Sequence, residues 1–195
     1  MPKYKIAAII ISQNLERAVE EPHTILLPEE LDHFNLLISR FEEIGCDPII
    51  VIAGQDPYYI CKKEGEDSFT CYNNPDPEQE EMGALRSAVE QLPNEVFGFI
   101  LAFWEDQKIK PETLRSIYAM AQHFPENIVI PRFHGRYGRP IYISRRFFEH
   151  LEQTITYTLP FTLVENYLSE VKFLPVNDET VLDVEDYYDL DENLN

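Results

Sequence analysis

Residues 97–111 read FGFILAFWEDQKIKP, and the rest of the chain can be interpreted from this stretch. Its first eight residues are apolar or glycine, which is too short for a membrane span and typical of a central strand buried on both faces. The run ends at Glu105 and Asp106, and Pro111 then marks the first turn of a helix. Because ligands of open α/β sheets bind beyond the carboxyl ends of the strands, the two acids are candidates for a metal or polar-ligand site. The alternative is that they only end the strand and cap the helix.

Composition sets the class of protein. The 195 residues are 44% apolar and 12% aromatic, which predicts one folded α/β domain over residues 1–195, with 183–195 as an acidic C-terminal segment. The net charge of −19 argues against nucleic-acid binding through a broad basic face. No stretch approaches 18 uncharged apolar residues, so we expect no membrane span. Residues 1–14 faintly resemble a secretory signal, but the apolar run is short and its isoleucines suit a first strand better, so we expect a cytoplasmic location.

The cysteines suggest neither a metal site nor a disulfide framework. Cys46, Cys61 and Cys71 are odd in number and lack the spacing of paired metal ligands. We therefore expect three ordinary thiols.

Apolar runs and helical periodicities alternate along the chain. They predict strands at 5–12, 48–53, 68–72, 97–104, 127–131, 140–143, 171–176 and 180–182. They predict helices at 28–44, 78–92, 111–124 and 144–151, the last capped by Ser144. This alternation predicts a doubly wound, three-layer α/β/α sandwich with a mostly parallel, Rossmann-like sheet.

Basic residues are concentrated in one segment. Five of the nine arginines fall within fifteen residues, at Arg132, Arg136, Arg139, Arg145 and Arg146. Guanidinium groups match phosphate and carboxylate geometry, so one interpretation is an anion site that faces the Asp106 region. The other interpretation is that these arginines pair with acids nearby.

The C-terminal segment is acidic but not uniformly polar. Tyr187, Tyr188 and Leu190 are interleaved with the acids, which indicates that part of the segment packs. In that case Asp183 or Glu185 would reach a metal ion held by Asp106.

Several short motifs occur in one order along the chain. They are an apolar strand at 5–11, PHTILLP at 22–28, Asn74-Pro75-Asp76, MGALR at 82–86, Asp106-Gln107, Gly138-Arg139-Pro140 and LDVE at 182–185. Taken together they resemble the first strand and the PKxLLP, NPD, GMSxSLR, Asp-Gln-Pro, Gly-His-Pro and Asp-Ile-Asp-Thr segments of the MobA-like NTP transferase family. These are molybdenum-cofactor nucleotidyltransferases, and the resemblance is greatest to the molybdopterin cytidylyltransferase branch.

The resemblance implies a fold, a reaction and a set of site residues. The fold is the nucleotide-diphospho-sugar-transferase-like variant of the Rossmann-like sheet. The reaction moves a nucleoside monophosphate from CTP or GTP to a phosphorylated small molecule such as a pterin phosphate, with Mg²⁺ and release of pyrophosphate. The implied catalytic residues are Asp106 and Arg139, and the implied metal ligands are Asp106, Asp183 and Glu185. The implied nucleotide-binding residues are Ser12, Gln13, Asn14, Arg17, His23, Asn74 and Arg86.

The first loop departs from the family's AAGxSxRMG pattern. It reads Ser12-Gln13-Asn14-Leu15-Glu16-Arg17-Ala18-Val19-Glu20, without the glycines that cradle a phosphate. His23 stands at the family's lysine position, and Glu16 and Glu20 add negative charge. The alternative function is therefore a catalytically inactive relative that acts as a binding or scaffold protein with a protein partner.

Overall fold

Four strands form the parallel centre of the sheet in a computed structural model, which describes residues 3–12, 28–53, 69–73, 80–153 and 166–182. The strands are β1 (Lys5–Ser12), β2 (Ile49–Ala53), β3 (Thr70–Asn73) and β4 (Val96–Phe103), in the order β3-β2-β1-β4. Ile11 pairs with Phe103, and Ser12 pairs with Ala53. The carboxyl ends of β1, β2 and β4 therefore lie side by side.

The second half of the sheet is mixed. It contains β5 (Ile128–Phe133), β6 (Arg136–Tyr137), β7 (Ile141–Ser144) and β8 (Val171–Pro175). β7 runs antiparallel to both β4 and β5, whereas β8 pairs with β5 in parallel. Since β7 is antiparallel to β4, the chain enters β7 at the edge where it leaves β4.

Helices cover both faces of the sheet. The helices α1 (Pro28–Ile44) and α3 (Pro111–His123) bury apolar residues in one core cluster, for example Phe34, Leu37, Leu114 and Ile117. The helices α2 (Glu80–Glu90) and α4 (Phe148–Gln153) contribute to a second cluster on the other face. The structure thus confirms the three-layer, mostly parallel α/β/α fold. Among the described helices, none is long and apolar enough to cross a membrane.

Two local predictions are wrong. The predicted strand at 180–182 is instead a 3-10 helix, Glu179–Val181, because Asp178 accepts a hydrogen bond from the backbone N–H of Thr180 and so starts a turn. Ser144 precedes a 3-10 helix, Arg145–Phe147, and its side chain makes no capping bond there. The α-helix begins only at Phe148.

The cysteines also differ from expectation. Cys46 is a buried free thiol, and burial raises its pKa because the thiolate would lose its hydration. Cys71, however, is disulfide-bonded, so the expectation of three ordinary thiols is wrong at this position. An odd number of cysteines without CxxC spacing does not exclude a single disulfide.

Candidate functional site

Ser12 closes the first strand at the carboxyl edge of the sheet. Its side chain is fully buried, and its Oγ donates a hydrogen bond to the backbone oxygen of Ile52 at 3.1 Å. The hydroxyl proton therefore forms a hydrogen bond between β1 and β2 and is not available to a ligand. A role for Ser12 in nucleotide binding would have to use the backbone or the oxygen lone pairs.

Asp106 lies directly beyond β4, on a 3-10 helix formed by Trp104–Lys108. Its Oδ2 accepts a hydrogen bond from the backbone N–H of Phe103 at 2.8 Å, so the carboxylate folds back onto the strand that leads to it. Arg40 of α1 holds the end of this turn by donating to the backbone oxygens of Gln107 and Ile109, at 2.6 and 2.9 Å. Arg40 was missed in the sequence because its partners are backbone atoms more than sixty residues away.

Arg139 meets Asp106 from the segment just before β7. Leu101 pairs with Ile141, and two more residues along the antiparallel register place Arg139 beside Phe103. The guanidinium carbon lies 4.2 Å from the centre of the Phe103 ring, and the Arg139 Nε lies 3.5 Å from Asp106 Oδ1. Asp106 is 6% exposed and Arg139 is 8% exposed. The structure therefore brings together the two residues that the sequence predicts to be catalytic, as a buried pair of opposite charges.

The backbone around Arg139 is fixed by contacts with a later segment. The N–H of Arg139 donates to the oxygen of Val181 at 2.8 Å, and the N–H of Gly138 donates to the oxygen of Pro131 at 2.9 Å. A Cβ atom on Gly138 would lie 2.5 Å from the Val181 oxygen, so only glycine fits this close approach. Arg139 therefore has little freedom to move away from Asp106.

Asp178 anchors that later segment to the start of α3. It is 1% exposed and accepts hydrogen bonds from the Thr113 hydroxyl at 2.7 Å, the Lys110 N–H at 3.0 Å and the Thr180 hydroxyl at 2.6 Å. Burial alone would raise the pKa of Asp178, but the hydrogen bonds from Thr180, Thr113 and the Lys110 backbone outweigh it, so the pKa lies below its ordinary value. The sequence signal for this anchor is Asp178-Glu179-Thr180, in which an aspartate caps the helical turn that follows it.

The arginine segment does not form one anion site. Arg145 donates to the backbone oxygens of Val96 and Pro93, at the opposite end of β4, and Arg146 lies 3.3 Å from Glu170. Arg132 donates to the oxygen of Gly135 within the hairpin between β5 and β6. Arg132, Arg145 and Arg146 therefore pair with other groups of the protein, as the second interpretation expects. Arg139 is the arginine of this segment that the structure places next to Asp106.

The remaining predicted site residues divide into two groups. Arg86 is half-buried on α2, which packs against β1 and β2. The others lie outside the described residues, namely Gln13, Asn14, Arg17, His23, Asn74, Asp183 and Glu185.

The described residues do not fit a divalent metal ion at Asp106. The described part of the chain contains no group of three or more His, Cys, Asp or Glu side chains that could hold a metal, so Mg²⁺ on Asp106 would depend on water or phosphate oxygens for its other ligands there. One oxygen of Asp106 already accepts from the Phe103 N–H, and the Arg139 guanidinium places a positive charge beside the other.

Comparison with known structures agrees with this fold. Rv0371c from Mycobacterium tuberculosis superposes with a TM-score of 0.73 at 18% identity, over 89% of this chain and 88% of the other. A manganese complex of the same protein gives 0.65 at 18% identity, over 89% of each chain. The 4-diphosphocytidyl-2C-methyl-D-erythritol synthase from Anaerococcus prevotii gives 0.69 at 11% identity, over 93% of this chain and 92% of the other.

Sequence comparison identifies the family directly. No curated protein matches the chain. The profile of the MobA-like NTP transferase domain matches residues 33–162, which is more than half of the chain and includes both Asp106 and Arg139. The chain therefore belongs to the MobA-like NTP transferase family.

Proposed function

We propose that this protein is a nucleotidyltransferase that moves a nucleoside monophosphate from a nucleoside triphosphate to a phosphorylated small molecule. The observation that carries the proposal is the buried pair of Asp106 and Arg139 at the carboxyl edge of β4. CTP is the first nucleotide to test, because the sequence motifs resemble those of cytidylyltransferases, and a pterin phosphate is the first acceptor. A cytoplasmic location and a single domain belong to the same proposal.

The proposed reaction is an in-line displacement at phosphorus. A phosphate oxygen of the acceptor attacks the α-phosphorus of the nucleotide and forms the new P–O bond. The bond from the α-phosphorus to the bridging oxygen breaks, and that oxygen leaves with its electron pair as part of pyrophosphate. Such a displacement requires positioning and charge neutralisation more than proton transfer.

Arg139 would neutralise charge in this reaction. A guanidinium group is permanently charged and donates in a fixed planar geometry that suits phosphate oxygens. Its position is set by the Phe103 ring and by the Val181 backbone, so little reorganisation is needed when a phosphate arrives. Asp106 would act by orienting Arg139.

Mg²⁺ is the cofactor that the family resemblance predicts, with Asp106, Asp183 and Glu185 as its ligands. When bound, it would offset the negative charge of the triphosphate. Asp106 alone belongs to the described residues, and its surroundings do not fit the ion.

The test is pyrophosphate release from CTP, GTP, ATP and UTP in the presence of a phosphorylated pterin. We expect release with at least one nucleotide, and a loss of about 10²-fold or more in Arg139→Gln, the cost typical of removing a preorganised donor from a transition-state oxygen. Glu179→Gln is the matched control for Asp106→Asn, because Glu179 is exposed and the change in charge is the same. Equal rates in the wild type, Asp106→Asn and Arg139→Gln would refute the proposal.

Thermal shift tests the alternative, a non-catalytic binding protein. A nucleotide at a hundred times its dissociation constant stabilises the folded state by about 2.7 kcal/mol. A shift with nucleotide but no pyrophosphate would favour a binding protein. No shift with any of the four nucleotides would leave the transferase without a substrate.

A further inference from the structure

We propose that Arg139 takes the place of a divalent metal ion at Asp106, so that the folded wild-type protein does not hold a metal on this carboxylate. The inference departs from the metal role predicted for Asp106 and concerns the binding of the ion rather than the transfer reaction.

The first argument is charge. Arg139 Nε lies 3.5 Å from Asp106 Oδ1, and both side chains are at least nine-tenths buried. A metal bound to the same carboxylate would lie close to the guanidinium in a region with little water to screen the repulsion. Arginine cannot relieve this repulsion by losing a proton, because its pKa is above 12.

The second argument is rigidity. Arg139 would have to move away to make room for the ion. Its backbone N–H is hydrogen-bonded to the Val181 oxygen, and its guanidinium group lies over the Phe103 ring. Gly138 lies so close to the same segment that an added Cβ atom would be 2.5 Å from the Val181 oxygen. The segment that carries Val181 is in turn fixed to α3 by Asp178.

The third argument is the residue type. A histidine can be neutral at pH 7 and would tolerate a nearby cation, whereas an arginine cannot. Changing this one residue should therefore open Asp106 to a metal ion.

The consequence for the nucleotide rests on the proposed function. If the protein binds a triphosphate, Arg139 supplies at this position the positive charge that a metal ion would otherwise provide. Any metal that enters with the nucleotide would then have its ligands among the phosphates and residues other than Asp106.

The experiment is a Mn²⁺ titration of the full chain without nucleotide, followed by water-proton relaxation and by electron paramagnetic resonance. Salt at about 150 mM reduces diffuse binding to the acidic surface. The variants are Arg139→Gln, Arg139→His, Asp106→Asn and the double variant Asp106→Asn/Arg139→Gln. Arg136→Gln is the matched control, since it removes the same charge from the neighbouring hairpin. Circular dichroism verifies that each variant is folded.

We expect the wild type and Asp106→Asn to give the same Mn²⁺ titration. Arg139→Gln and Arg139→His should bind one additional Mn²⁺ ion at least tenfold more tightly than the wild type, and the double variant should lose it. Arg136→Gln should resemble the wild type. If the arginine variants do not fold, the Mn²⁺ titrations of the wild type and Asp106→Asn still test whether the wild type holds a metal ion on Asp106.

Two results would overturn the inference. One is a Mn²⁺ site in the wild type that disappears in Asp106→Asn. The other is the absence of any additional site in folded Arg139→Gln and Arg139→His. Because no nucleotide is present, these results are independent of whether the protein transfers a nucleotide.

Discussion

Asp106 and Arg139 offset each other's charge in the protein interior. Each residue is less than one-tenth exposed, so either charge without the other would destabilise the folded state. Asp106 also accepts the N–H of Phe103, which would lose its partner if the carboxylate were removed. The two side chains thus link the turn after β4 to the chain before β7.

We predict that Asp106→Ala lowers the free energy of unfolding by about 3–5 kcal/mol, since it leaves a buried guanidinium without its carboxylate. The double variant Asp106→Ala/Arg139→Met should lose less than Asp106→Ala alone, because the buried charge is then gone as well. Urea unfolding at equilibrium measures both. A double variant less stable than Asp106→Ala would contradict this account.

Gly138 is a position at which one added carbon atom should lower the stability of the fold. We predict that Gly138→Ala lowers the free energy of unfolding by about 1–3 kcal/mol, because the new methyl group must displace the Val181 carbonyl oxygen. Val181→Ala should not rescue Gly138→Ala, since the closest atom is backbone and stays in place. Restoration of stability in the double variant, relative to Val181→Ala, would show that the side-chain contacts dominate instead.

Contacts between secondary-structure elements decide where the 3-10 helix after β8 lies. Asp178 joins that helix to the first turn of α3, using hydrogen bonds to both. Its folded-state pKa is lower than its ordinary value of 3.8, so the unfolded state binds the proton more readily. The stabilisation is therefore complete above the ordinary pKa and is lost as pH falls through the lowered one.

We predict that Asp178→Asn is less stable than the wild type at pH 7 and that the difference shrinks at pH values below about 4. Urea midpoints between pH 2.5 and 7 measure it. Glu179→Gln, an exposed neighbour, is the control and should show little difference at any pH. A gap between wild type and Asp178→Asn that does not change with pH would mean that Asp178 acts by packing alone.

The sequence predicts an element well when the interactions that form it lie within the element itself, and poorly when they come from distant residues. The boundaries of β1 and α1 agree with the prediction, because the spacing of apolar residues that identifies each element lies within that element. Thr180, Val181 and Leu182 suit a strand by residue type, but the side chain of Asp178 accepts a hydrogen bond from the Thr180 N–H and starts a 3-10 turn there instead. The candidate site shows the same division. Asp106 and Arg139 lie in motifs that the sequence shows. The partners of Arg40, and the Lys110 and Thr113 partners of Asp178, lie 65 or more residues away.

The protein as a whole carries a net charge of −19, which acts against the compact state through self-repulsion. We predict that the thermal midpoint rises when KCl increases from about 10 to 300 mM, with most of the rise below about 100 mM, where the screening length shortens from about 30 to 10 Å. Differential scanning calorimetry at pH 7 measures it. A midpoint that falls with salt would indicate that attractive surface pairs, such as Lys5 with Asp47, outweigh the repulsion.

The order of strands was the least predictable property of the molecule. Continuous apolar runs indicate burial on both faces but do not give direction, so nothing in residues 141–144 distinguishes a parallel from an antiparallel strand. The antiparallel placement of β7 depends on pairing with β4 between residues that lie forty or more positions apart. That placement nevertheless determines that Arg139, rather than a residue after Ser144, reaches Asp106.

The same antiparallel pairing suggests a way to assemble the protein from two pieces. The hairpin between β5 and β6 has an exposed tip at His134, a position where a break in the chain is most easily tolerated. A fragment that ends there would keep Asp106, and a fragment that begins there would supply Arg139. Fragment complementation would then rebuild the charged pair only when β4 and β7 reunite, so the thermal stability that this pair gives to the intact chain would report on reassembly.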